Sequence, residues 1–301
     1  MLIKNHDHLF EIIKQKEKMK VAVITAEHMD VLEVVSEAEK MELAEFILLG
    51  DPSEIKRVMA ENNLSLRAEI FDEKDHHKAA ATAVDMVVSG EADTAMKGML
   101  HSAIFLRAIL NKEKGLNTGN IVSQIAVQEK PNKDGLLLIT DCGITVAPDL
   151  MQKKMILENA VEFAHKLGYE NPRVAVLAAV EVINPAMPDT IDAAALSKMA
   201  ERGQIEGCIV DGPLALDNAI SVESAEHKGI KGPVAGNADI LLVPNVTVGN
   251  TLMKSIAYFA NEPTPSVMMG VRLPIVYTSR TEGVKGRLLT IALARFLSSK
   301  N

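Results

Sequence analysis

KVAVITAEHMDVLEVVSEAEKMELAEFILLGDPS, residues 20–53, holds the pattern that decides the fold. Residues 20–26 form a compact apolar run of strand length. From Asp30 to about Leu43, Val31, Val34, Val35, Ala38 and Met41 fall at the spacing of an amphipathic helix. Residues 46–49 are a second apolar run, and it closes on Gly50-Asp51-Pro52-Ser53, a turn into a helix with Ser53 as its expected N-cap. Strands that read as continuous apolar runs are covered on both faces. That is the condition of a parallel sheet whose crossovers are helices.

The same grammar continues outward. A strand is expected at 68–71 and a helix at 78–88, ended by Ser89-Gly90, where glycine suits a left-handed C-cap. A strand at 93–96 and a helix at 101–110 follow. In the second half the strands are expected at 136–140, 174–179, 208–210, 240–243 and 275–277. Helical patterns lie at 150–167, 191–202, 251–260 and 284–297. The polar stretch QEKPNKD, residues 128–134, is the expected domain break, and 301 residues suit two α/β domains.

Composition excludes several classes of function. The 40 Asp+Glu exceed the 32 Lys+Arg, giving a net charge of -8, which disfavours a coat for nucleic acid or an anionic membrane. Aromatics make up 3% of the chain, so base-stacking platforms are not expected. Cys142 and Cys208 cannot form a four-thiolate zinc site, and both are expected as buried core thiols. No signal-peptide pattern opens the sequence and no apolar run reaches membrane-spanning length, so a cytoplasmic protein is expected.

In open parallel sheets, ligands bind beyond the carboxyl ends of the strands, where unpaired N–H groups at helix starts favour anions. Four junctions stand out for glycine, small hydroxyl or basic residues, two of them followed by cations. The first is Met96-Lys97-Gly98-Met99-Leu100-His101-Ser102, running into a helix that carries Arg107. The second is Asp211-Gly212-Pro213-Leu214-Ala215-Leu216-Asp217. The third is Pro244-Asn245-Val246-Thr247-Val248-Gly249-Asn250, leading to Lys254. The fourth is Tyr277-Thr278-Ser279-Arg280-Thr281-Glu282-Gly283, leading to Lys285 and Arg287. Turns collect such residues for backbone reasons as well, but four in one chain point to a phosphorylated ligand. P-loop, dinucleotide-fingerprint, zincin and nucleophile-elbow motifs are absent from the sequence. Ser53-Glu54-Ile55-Lys56 fits S-x-x-K but reads as a helix start. His76-His77 reads as a solvated pair, and His6 and His8 as a frayed terminus.

These loops, in this order, resemble the phosphate acetyl/butyryltransferase family. The likeness runs through Ala95-Met96-Lys97-Gly98, Phe105-Leu106-Arg107, the AVEVINP run at 179–185 and Met187-Pro188. It continues in DAAALSKM (192–199), Arg202-Gly203-Gln204-Ile205, VDGPLALD (210–217), Gly249-Asn250 and Thr278-Ser279-Arg280. It covers essentially the whole chain. The resemblance implies two doubly wound parallel-sheet α/β domains with an interdomain cleft, related to the isocitrate/isopropylmalate dehydrogenase architecture. It implies a C-terminal helix that returns to the first domain. The expected domains are 1–132 plus 284–301, and 133–283, with the Ser-Arg loop in the second.

The activity the resemblance implies is acyl-CoA + phosphate ⇌ acyl phosphate + CoA, with butyryl-CoA or a short branched acyl-CoA as donor. Coenzyme A is then a co-substrate and no metal is required. Acyl-CoA and phosphate are the partners, nucleic acid and membrane are not, and a homo-oligomer is implied. Ser279 would hydrogen-bond the CoA sulfur or the oxyanion, Arg280 would hold phosphate, and Arg107 would be a further catalytic cation. Lys97, Gly98, His101, Ser102, Asp211, Gly212, Pro213, Asn245, Gly249, Asn250 and Lys254 are the expected substrate- and phosphate-binding residues. The acetyl-specific branch carries an acid six positions beyond the Ser-Arg arginine. Here that position is Gly286, and Glu282 is the nearest acid and a candidate acid/base. Three alternatives stand beside this reading: a phosphate acetyltransferase, an NAD-dependent β-decarboxylating dehydrogenase, and a non-catalytic acyl-CoA sensor.

Overall fold

Strand β1 (Met19–Ile24) is buried along nearly its whole length, as its unbroken apolar run requires. The computed structural model describes residues 1–111, 113, 116–131, 133–279 and 282–298. Their contacts group into two units, 6–120 with 265–301, and 1–5 with 121–264.

The first unit opens with α1 (His6–Ile13), then β1, α2 (Met29–Lys40), β2 (Ala44–Gly50), α3 (Pro52–Glu61), β3 (Glu69–Asp72), α4 (His76–Ser89), β4 (Thr94–Lys97) and α5 (Ser102–Ile109). Its strands are parallel in the order β3-β2-β1-β4. β1 thus has β2 on one side and β4 on the other, and the crevice between the ends of β1 and β4 is the topological switch point. Gly90 closes α4 at φ 81°, as the sequence predicts. The cap of α3 differs: Asp51 is the N-cap and accepts from Ser53 N at 2.9 Å, while Pro52 takes the first helical position.

The second unit holds β5 (Ser123–Glu129), β6 (Leu136–Thr140), α6 (Leu150–Lys166), β7 (Arg173–Leu177), α7 (Pro188–Glu201), β8 (Ile209–Leu214), α8 (Leu216–Ile220), α9 (Val222–His227), β9 (Ile240–Leu242) and α10 (Val246–Phe259). Strands β6, β9, β7 and β8 are parallel. β5 departs from the all-parallel expectation by pairing antiparallel with β6, Ala126 opposite Ile139. The polar stretch 128–134 therefore begins inside β5 and leads on into β6 of the same hairpin, and is not a domain break. The unit's core gathers Ile139, Cys142, Ala175, Leu177, Leu214, Leu241 and Val243, with Leu252, Met253 and Ile256 of α10 packed against it.

The chain then returns to the first unit through β10 (Ser266–Met269) and α11 (Val284–Ser298). Helix α11 packs on α1 and α2. Its buried Arg295 binds the carbonyls of Glu17, Glu42 and Leu43 at 2.8–3.1 Å. The expected strand at 275–277 is present only as a parallel bridge between Val276 and Met96. That bridge also corrects the placement of Ser279. The sequence reading puts it in the second domain, whereas backbone bonds to β4 tie its segment to the unit of residues 6–120.

Candidate functional site

In the first unit, three backbone bonds assemble a loop at the carboxyl end of the sheet. Lys97 N donates to Val276 O at 3.0 Å, Gly98 N to Ile24 O at 2.9 Å, and Met99 N to Thr25 O at 3.2 Å. The loop lies against the end of β1, and a Cβ on Gly98 would overlap the carbonyls of both Ile24 and Thr25. Glycine is required there by close approach. Thr25 itself adopts φ 59°, and its buried hydroxyl finds no hydrogen-bond partner among the described residues. Such local strain concentrates where a fold holds a functional loop.

Helix α5 opens at the end of this loop. His101 is its N-cap residue but makes no side-chain cap bond, and both His101 and Ser102 are exposed. The first N–H groups of α5 lack intrahelical partners, which favours an anion there. Phe105 of α5 stacks on Tyr277 with ring centroids 5.8 Å apart, coupling the helix to the segment that leads to Ser279. Lys97 is buried, 3% exposed, and Ser279 is half-buried. Lys97, Gly98, His101, Ser102 and Ser279 are thus carried by two adjacent segments at one end of the sheet. Arg107 is exposed in the last turn of α5, away from that helix's N-terminus. Arg280 lies outside the described residues.

The departure at Gly286 has a structural counterpart. A Cβ at 286 would overlap the carboxylate of Glu282. The missing side chain leaves room for that carboxylate, so an acid stands beside position 286 without being encoded at it. Glu282 N also donates to Ser279 O at 3.2 Å, linking it to the serine. Arg287, by contrast, is buried and donates to Asp30 O at 2.9 Å, which makes it a packing residue and not a loop cation. Lys285 is exposed.

The second unit sorts its candidates differently. Asp211, Gly212 and Pro213 fall within β8, which runs to Leu214, so they are strand body and not the loop the sequence suggested. A Cβ on Gly212 would lie 2.8 Å from Val176 O, so its smallness serves strand packing. Asn245 caps α10 by accepting from Val248 N at 3.1 Å. Gly249 is buried, and a Cβ there would sit 2.5 Å from Asp141 O and 3.0 Å from Cys142 Cα. Helix packing accounts for both Asn245 and Gly249. Asn250, exposed, and Lys254, half-buried, share one helix face four residues apart. Asp217 is bound to Lys228 at 3.0 Å, and Lys228 also binds Glu181 at 2.7 Å. Among the described residues no three His, Cys, Asp or Glu side chains converge on a metal-sized site.

Sequence reading missed two features here. Buried Asp141 accepts bonds from the backbone N–H groups of Gln124, Gly143, Ile144 and Thr145 at 2.8–3.2 Å, and so shapes the loop after β6. Burial raises its pKa, against the pull of those bonds. The second feature is a groove of about 490 Å³ at the ends of β7 and β9, lined by Leu177, Met187, Thr190, Leu216, Val248 and Leu252 among others. Neither cysteine is poised for nucleophilic work. Burial pushes the Cys142 thiol up, and Cys208, only partly buried, up to about 11, so both stay protonated at neutral pH.

The model of the phosphate acetyl/butaryl transferase family matches residues 72–295 of this chain. A phosphate butyryltransferase of Clostridium acetobutylicum is 45% identical over 298 residues, covering 99% of each chain. A phosphate acetyltransferase of Thermotoga maritima is 39% identical over 288 residues, 96% of this chain and 98% of that one. Among solved structures, a branched-chain phosphotransacylase from Enterococcus faecalis superposes with a TM-score of 0.81 at 30% identity, covering 94% of this chain and 100% of that one.

Proposed function

This chain belongs to the phosphate acetyl/butaryl transferase family, and on that premise we propose that it moves a short acyl group between coenzyme A and inorganic phosphate. A phosphate oxygen attacks the thioester carbonyl carbon, a tetrahedral oxyanion forms, and the carbon–sulfur bond breaks with its electron pair leaving on sulfur. CoA leaves as the thiolate and takes up a proton. The products are acyl phosphate and CoA. Coenzyme A is a co-substrate, and no metal enters the scheme. The observation that carries the reading is the loop 97–102, bonded to the end of β1 and to the segment leading to Ser279.

Each group has a task in this scheme. The N-terminus of α5, with Ser102 and His101, holds an anionic group of phosphate. Lys97 adds positive charge near it, and Arg107, in the last turn of α5, is a further cation for another part of the substrates. Ser279 donates to the oxyanion or the sulfur, and Arg280 grips phosphate with its planar fork. Glu282 takes the proton from the incoming nucleophile or returns it to sulfur, filling the role that an acid at 286 would have. In the second unit, Lys254 and Asn250 bind a polar part of CoA, and Asp211, Gly212, Pro213, Asn245 and Gly249 shape the strand and helix that present them.

The donor is butyryl-CoA or a short branched acyl-CoA, in the cytoplasm, and the enzyme is a homo-oligomer. Relatives over nearly the full chain carry butyryl and branched-chain names. Two methylenes separate butyryl from acetyl, worth about 1.6 kcal/mol of burial, or roughly 15-fold in rate. The test is incubation of the protein with phosphate and either acetyl-CoA or butyryl-CoA, following free thiol and acyl phosphate. The proposal predicts equimolar release of both, faster with butyryl-CoA. Thiol release that does not depend on phosphate would overturn it.

A further inference from the structure

Strand β1 leads into a residue whose identity the packing of the first unit does not explain. Ile24, the last residue of β1, stands opposite Lys97 in the parallel register with β4, so Thr25 comes level with Gly98. Thr25 has φ 59°, a left-handed conformation that is an outlier for a β-branched residue. It is 5% exposed, and its hydroxyl has no hydrogen-bond partner among the described residues. An unpaired buried hydroxyl and a left-handed threonine both cost stability. Valine has the same shape and would avoid the first cost. The backbone does not account for the choice either: Thr25 serves the loop through its carbonyl, which accepts Met99 N at 3.2 Å, and any residue has a carbonyl.

The next polar side chain is turned elsewhere. Glu27 Oε1 accepts Asp51 N at 2.8 Å, and its carboxylate takes the space that a Cβ on Gly50 would need, beyond the end of β2. β2 and β4 flank β1 on opposite sides. The carboxylate of Glu27 is thus held on the β2 side, while Thr25 lies against the loop on the β4 side, where a Cβ on Gly98 would overlap its carbonyl oxygen. On that same side stand buried Lys97 and the opening N–H groups of α5, all of which attract an anion.

We infer that Thr25 is a phosphate-binding residue whose hydroxyl donates to an oxygen of the phosphate held at the start of α5. This rests on the proposed transfer of the acyl group to phosphate. An ionised phosphate oxygen accepts hydrogen bonds, which is what a buried hydroxyl without an acceptor lacks. The two costs of Thr25 then belong to the site: the end of β1 is held strained and its hydroxyl unpaired, ready for the anion. A threonine chosen for the fold would carry neither.

The test compares Thr25→Val and Thr25→Ser with the wild type. CoA release from butyryl-CoA is followed over a range of inorganic phosphate, beside thermal melting without phosphate. A hydrogen bond to a charged group is at stake, so valine should raise KM for phosphate roughly 10–100-fold, with KM for butyryl-CoA unmoved. Its Tm should equal or exceed that of the wild type, because the unpaired hydroxyl is gone. Serine, which keeps the hydroxyl, should restore KM for phosphate. A hydroxyl that serves the fold gives the reverse, a lower Tm for the valine variant with KM for phosphate unmoved, and either of those results would overturn the inference. If the valine variant fails to fold, Thr25→Ala lacks the same hydroxyl and decides. A wild type whose CoA release ignores phosphate would refute the acyl transfer and this inference with it. A wild type that responds to phosphate, matched by its valine variant, would refute the role of Thr25 alone.

Discussion

Replacing Gly98 by alanine puts a methyl group where the carbonyls of Ile24 and Thr25 already stand. Neither oxygen can turn aside freely, because they accept the N–H groups of Gly98 and Met99. The loop must therefore move off the end of β1. Overpacking of this kind costs about 1–3 kcal/mol, or a fall of roughly 2–12 °C in Tm for a unit of this size. The effect on activity is separate. Gly98 shares its loop with Lys97 and leads to the start of α5, so a shift of ~1 Å carries the proposed phosphate site with it and costs ~100-fold in kcat/KM. The control is Gly90→Ala. Gly90 also has a special conformation, φ 81°, but nothing lies within 4 Å of the added methyl. It should cost about 1 kcal/mol in stability and leave kcat/KM within about twofold. The assay is phosphate-dependent CoA release at several phosphate concentrations, paired with thermal melting. A Gly98→Ala protein with kcat/KM within about threefold of wild type would refute the assignment of this loop to the site.

Two further outcomes follow from the same geometry. Glu282→Gln keeps the shape beside Gly286 but removes the charge. With its proton-handling group gone, kcat should fall by ~10²–10⁴ with little change in Tm; retained activity with an unchanged pH–rate profile would contradict that role. Asp239, 2% exposed, would have its pKa raised by burial, but bonds from Arg173 and Lys130 overrule this and hold it low. A depressed folded pKa gives stability that is present above the unfolded value of ~3.9 and lost as pH falls through the folded value. Asp239→Asn strands buried Lys130 and should cost about 3–5 kcal/mol at pH 7. Melting from pH 7 down to 3 should show the variant losing less stability than the wild type over the acid limb; parallel curves would contradict this.

Much of the architecture was legible because its strands are unbroken apolar runs. β1, β2, β6 and β9 are bounded by glycine, proline or polar turns, and the helices between them carry a clear period. β5, and the part of β8 beyond the expected 208–210, escaped for physical reasons. β5 is SQIAVQE, whose Gln124 and Gln128 are 7% exposed; buried amides disguise it as a loop. β8 continues through Asp211-Gly212-Pro213, a string that reads as a turn, because Gly212 alone lets β8 close on Val176. The candidate site divides in the same way. Lys97-Gly98 and Ser279 were visible from residue chemistry. The packing reason for Gly249, the cap role of Asn245, and the space that Gly286 leaves for Glu282 depend on neighbours distant in sequence.

We propose that phosphate itself is the acyl acceptor, held by the arginine beside Ser279. The most direct measurement is the steady-state rate of CoA release from butyryl-CoA, as phosphate is varied, in wild type and Arg280→Ala. Loss of one charge-fixing donor should lower kcat/KM for phosphate by ~10²–10³, with the fold intact by circular dichroism and saturation by butyryl-CoA changed far less. An Arg280→Ala protein with wild-type dependence on phosphate would contradict the claim.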